Sequence, residues 1–102
     1  MPAFALLQSD NPDKKFMAMF IDENKKYQKI YFGDSDYDDF TISKDTDRKL
    51  LYLNRHKKNE NWNDIFSAGF WARYILWNKP TIQKSIADVA KKYNIEIIDL
   101  IN

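Results

Sequence analysis

Few side chains in this sequence could do chemistry, and they are scattered. His56 is the only histidine, and Glu60 follows it at the i,i+4 spacing of two ligands on one helical face. No second histidine and no cysteine is present to complete a transition-metal shell. A cation near a helix C-terminus is commonly a capping group, and that role is the one expected of His56. Asp34, Asp36, Asp38 and Asp39 resemble the opening of a calcium loop, but Asp39 stands where that loop needs glycine and no glutamate closes the ring. Hydrolysis would need a nucleophile with a base, or a carboxylate pair in a cleft, and neither is legible. The expectation is therefore no catalytic centre, no metal site and no cofactor.

A different constellation is Arg48, Lys49, Arg55, Lys57 and Lys58 close in sequence to Trp62, Trp71 and Trp77, where cations could meet phosphates and rings could meet bases. Tryptophans at helical spacing are more often core, and a basic run at a helix end suits the helix dipole. Net charge is only +1, split between residues 1–42, with five basic and eight acidic side chains, and residues 43–102, with eleven and seven. Nucleic-acid binding through the five cations is accordingly the alternative rather than the leading expectation.

The elements that would hold these residues follow from patterning. A chain of 102 residues fits one domain that buries somewhat over ~60% of its unfolded surface. With 16% aromatic residues, its core is expected to rest on a few large rings. Without cysteines it carries no disulfide framework, and an intracellular setting is favoured. The N-terminus lacks the basic region of a signal peptide, and no stretch approaches the ~20 apolar residues of a membrane span.

Residues 1–14 read as an arm that is ordered only if it docks. Lys15–Ile21 and Tyr27–Phe32 read as a β-hairpin, and Asp34 to Asp39 as a solvated loop. A helix from about Lys44 to Lys57 is expected, with Ser43 as N-cap and Leu50, Leu53 and Leu51 as its packing residues. A second helix runs from Ser67 to Trp77, apolar nearly all round. A third is capped by Thr81, presents Ile82, Ile86, Val89 and Tyr93, and ends at Asn94. The tail from Ile95 is β-branched and apolar, which predicts a strand added to the hairpin or paired with another molecule. The class is α+β: an N-terminal hairpin, three short helices and a C-terminal strand, divided as arm 1–14, domain 15–94 and tail 95–102.

The order of marks is Phe32-Gly33, Asp39-Phe-Thr41, Tyr52-x-x-Arg55-His56, Glu60-x-Trp62, Ala68-Gly69, Leu76-Trp77-Asn78-x-Pro80-Thr81, Ser85-Ile86-x-Asp88 and Lys92-Tyr93. This set, over about residues 14–93, resembles a family of short uncharacterised proteins encoded by nucleocytoplasmic large DNA viruses, the giant viruses. The chain departs from that pattern in its arm, in its tail, and at Asn63-Asp64-Ile65, where the family usually has a proline. The resemblance implies a viral protein and carries no catalytic residues with it. It implies a non-enzymatic structural role, as a minor capsid or virion protein bound to other capsid proteins or to further copies of itself, located in the virion and, during assembly, in host cytoplasm or the viral factory. The expected interface is Phe4, Leu6, Leu7, Trp71, Trp77, Ile97, Ile98, Leu100 and Ile101.

Overall fold

The computed structural model describes residues 2–22, 24 and 26–101. Three strands come first: β1 (Ala3–Gln8), β2 (Lys14–Ile21) and β3 (Tyr27–Asp34). Polar turns join them. Ser9 Oγ and Asn11 Oδ1 accept the backbone N–H groups of Asn11 and Asp13, and Asp22 Oδ1 accepts those of Asn24 and Lys26. The β2–β3 hairpin lies where the alternation of Tyr27–Phe32 places it. The arm docks beside it as β1, and the tail returns as β4 (Glu96–Asp99), parallel to β1. The result is a mixed four-stranded sheet, order β3-β2-β1-β4, in an α+β fold.

Four helices follow β3. Asp39 accepts from Thr41 N and caps a single turn, α1 (Phe40–Ser43), which closes with Lys44 in the left-handed region at φ 54°. Asp45 then caps α2 (Thr46–His56), accepting from Asp47 N and Arg48 N. Asp45, not Ser43, is therefore the cap, because Ser43 is spent inside α1. Ser67 caps α3 (Ala68–Trp71), which widens into a π-helical turn over Ala72–Leu76. Thr81 caps α4 (Ile82–Tyr93), and Asn94 ends it at φ 52°.

The core forms where one sheet face meets α3, the π turn and α4. Phe4, Leu6, Ala18, Ile30 and Phe32 supply the sheet side, and Phe70, Trp71, Ile75, Leu76 and Val89 the helical side. Trp71 lies at the centre, its ring 4.9 Å from that of Phe4 and 6.2 Å from that of Phe32, with Nε1 donating to Ile65 O at 2.9 Å. Phe4 is 1% exposed, and Leu6 and Trp71 are completely buried. These three cannot serve a partner, which corrects their place in the expected interface: alternate residues of β1 point inward, and the helix that carries Trp71 lies against them.

Helix α2 corrects a second expectation. Its buried residue is Tyr52, whereas Leu51 is 66% exposed and Leu50 is exposed as well, because α2 stands off from the sheet and no described residue covers that side.

Candidate functional site

The standing-off of α2 opens a cleft of about 670 Å³ between it, the edge strand β3 and the α3–π segment. Arg48, Leu51, Tyr52 and Arg55 have i, i+3, i+4, i+7 spacing, so they share one face of α2, and all four line the cleft. Tyr31 to Asp34 of β3 form the opposite wall, with Ala68, Gly69 and Ala72 between. Charge is balanced: the cations Lys14, Lys15, Arg48 and Arg55 face the carboxylates Asp34, Asp38, Asp39 and Glu60, four against four. Lys15 and Asp39 pair at 2.6 Å with both side chains largely buried, and Arg48 reaches Asp38 at 3.8 Å on the exposed rim. Among the described residues Arg55 has no carboxylate within ion-pair distance.

A three-ring stack forms one side. Tyr52 lies between Trp77, at 4.4 Å and 5°, and His56, at 4.3 Å and 28°. His56 Nδ1 lies 3.7 Å from Glu60 Oε1. Burial first, and then the Glu60 carboxylate, push the Tyr52 hydroxyl up to about 12, so it stays neutral at ordinary pH. Glu60 reaches the stack because Gly69 has no side chain; a Cβ there would lie 1.9 Å from Glu60 Oε2. The Glu60 and Gly69 marks thus form one contact.

The Leu76–Thr81 marks are architectural. In the π turn Trp77 N donates to Ala72 O at 3.1 Å, which turns Trp77 toward Tyr52. Asn78 Nδ2 donates to Tyr74 O at 3.2 Å and to Asp88 Oδ2 at 2.8 Å, tying this turn to α4. Lys79 N donates to Ser85 Oγ. Lys49 Nζ donates to Asn78 O at 2.7 Å and lies over the Phe40 ring; burial, with Arg73 and Lys79 nearby, pulls its pKa down. Lys49 is therefore tied into the fold, which removes it from the candidate nucleic-acid contacts. Arg48 and Arg55 face the cleft, and Lys57 and Lys58 are exposed beyond the end of α2.

The acidic loop does not converge on one point. Asp34 Oδ1 accepts from Asp36 N, Asp38 faces Arg48, and Asp39 caps α1 while holding Lys15. Among the described residues no three His, Asp or Glu side chains group as metal ligands, and no helix is long and apolar enough to cross a membrane.

A second feature is the sheet face turned away from the helices. Register places Lys29, Met19, Ala5 and Ile98 in one cross-strand row and Tyr31, Met17 and Leu7 in the next. Leu100 N donates to Leu6 O and extends that side. Ile98 is 47% and Leu100 54% exposed, Ala5, Leu7, Met19 and Tyr31 are half-buried, and Met17, between Leu7 and Tyr31, is buried at 7% exposure. Asp10 borders the face, accepting from Tyr31 Oη at 2.6 Å and Lys29 Nζ at 3.1 Å. The expected interface therefore splits by parity. Ile97 and Ile101 pack on the core beside Phe4 and Leu6, Leu7, Ile98 and Leu100 lie on the outer side, and Trp77 lines the cleft. Sequence reading missed Met17, Met19 and Tyr31, although their alternation in the hairpin strands carried the signal.

No curated protein and no solved structure matches the chain. Residues 5–56, from within β1 to the last residue of α2, match a family of unknown function, DUF5754, and the chain belongs to that family.

Proposed function

We propose that this is a non-enzymatic viral structural protein, a minor capsid or virion component that works through protein–protein contact. The observation that carries the reading is the uncovered sheet face. Four strands spaced ~4.8 Å apart and about 20 Å long give a sheet face of roughly 400 Å², which half-buried and exposed apolar side chains share with Tyr31 and Lys29. Leu7, Met19, Ile98 and Leu100 supply its accessible apolar side chains, Met17 between them is itself 7% exposed, and Lys29 is held at the border by Asp10. The viral setting rests on the sequence marks. Mass spectrometry of purified particles tests the proposal, together with sedimentation of the isolated chain and of Met19→Glu. Presence in particles and loss of association in Met19→Glu support it; absence from particles with a strictly monomeric chain refutes it.

Nucleic-acid binding is the second reading, favoured by Arg55, which has no ion-pair partner among the described residues, and by the neighbouring exposed Lys57 and Lys58. It requires affinity that falls steeply with salt and with Arg55→Glu. Binding insensitive to both would remove it.

A further inference from the structure

We propose that the cleft beside β3 receives an extended polypeptide segment of a partner protein, laid along the free edge of β3 as a fifth strand. The inference stands on the cleft and not on the uncovered sheet face, so either can fail without the other. Among the described residues strand β3 pairs only with β2, and the part of it that lines the cleft, Tyr31 to Asp34, offers backbone amides and carbonyls on its outer side. Such an edge is a template for strand addition, where main-chain hydrogen bonds give affinity and side-chain pockets give selectivity. The cleft volume, about 670 Å³, lies within the range of ligand sites.

The opposite wall supplies the pockets. Leu51 is 66% exposed in a concave site, a leucine with nothing over it. Tyr52 is only 8% exposed, yet among the described residues its hydroxyl has no hydrogen-bond partner and is not sealed from solvent, so a polar group is left open in an otherwise buried side chain. An apolar side chain of the incoming strand fits over Leu51 beside the Trp77–Tyr52 stack, while a main-chain or hydroxyl group meets the Tyr52 Oη.

Charge selects the class of occupant. A polyanion entering the cleft would meet as many carboxylates as cations, so its counterion release gains little. A polypeptide can match both signs, and Arg55, without a carboxylate of its own, calls for an acidic residue near the apolar anchor. The occupant is thus an extended segment with one apolar and one acidic side chain.

Panning a displayed library of random short peptides against the immobilised full chain tests this. Enriched peptides are synthesised and titrated, with amide chemical shifts as the readout, into the parent chain, Leu51→Asp and Arg55→Glu, with oligothymidylate as a second probe. Both substituted side chains are exposed, and circular dichroism verifies that the variants fold. Peptides sharing an apolar–acidic pattern, shifting the amides of Tyr31 to Asp34 and weakening at least about tenfold in both variants are expected. No enrichment, peptides indifferent to both variants, or oligothymidylate binding that depends on Arg55 while peptides do not bind would each overturn the proposal.

Discussion

Replacing Asn78 by alanine isolates the device that holds the π turn. The residue is 7% exposed, and its amide makes two bonds: a neutral one to Tyr74 O at 3.2 Å and one to the charged Asp88 Oδ2 at 2.8 Å. A neutral bond contributes about 1 kcal/mol and one to a charged group about 1.5–3, so Asn78→Ala should cost about 2.5–4 kcal/mol. For a domain of this size, at about 4–8 °C per kcal/mol, the melting temperature should fall by roughly 10–30 °C. Urea unfolding gives the free energy, with an unchanged slope required for the comparison. A double-mutant cycle with Asp88→Ala should return coupling of about 1–2 kcal/mol, because the two side chains share one bond. A loss under about 1 kcal/mol, or additive effects, would refute the assignment of Asn78 as the tie between the turn and α4.

Three more outcomes follow from the same structure. Gly33→Ala should destabilise by about 2 kcal/mol or more in urea unfolding, since Gly33 has φ 81° and an added Cβ would lie 2.7 Å from Leu76 Cδ1; a neutral result would mean that both relax freely. Trp71→Ala should cost about 3–5 kcal/mol, or prevent folding, by emptying the middle of the core; a smaller loss in the same assay would place the core elsewhere. In alkaline titration followed by phenolate absorbance, Tyr52 and Tyr93 should ionise late, near 12 rather than 10. Unfolded tyrosines ionise first, so the stability these two hydroxyls contribute is complete below about pH 10 and is lost as pH rises toward 12; six tyrosines ionising together in the folded state would contradict this.

What was legible in the sequence is what local chemistry determines. Thr81 and Asn94 bracket α4 because a hydroxyl cap and a left-handed residue act within a few residues of themselves. The hairpin followed from alternation around a polar turn. The parallel pairing of β1 with β4 joins the two ends of the chain, and no local signal encodes it. Its consequence, that Phe4 and Leu6 are core while Leu7 is outside, was obscured by reading the apolar run as one patch rather than by alternate residues. Tyr52 outranks Leu50 and Leu51 as the buried residue of α2 because Trp77 is turned toward it, and that turning depends on a π register invisible to 3.6-residue periodicity. The cleft draws on Lys15, Asp39, Tyr52, Glu60 and Gly69, which only the tertiary fold brings together.

The claim that the uncovered sheet face is a contact surface in a particle is tested most directly by methionine oxidation. Met19 lies half-buried beside Ala5 on that face, whereas Met17, beside Leu7, is 7% exposed and serves as the shielded reference, and thioethers convert to sulfoxides wherever oxidant reaches them. Peroxide footprinting with mass spectrometry compares the free chain with purified particles. The account predicts that Met19 oxidises in the free chain and is protected in particles; equal oxidation in both, or particles that lack the chain, would contradict it.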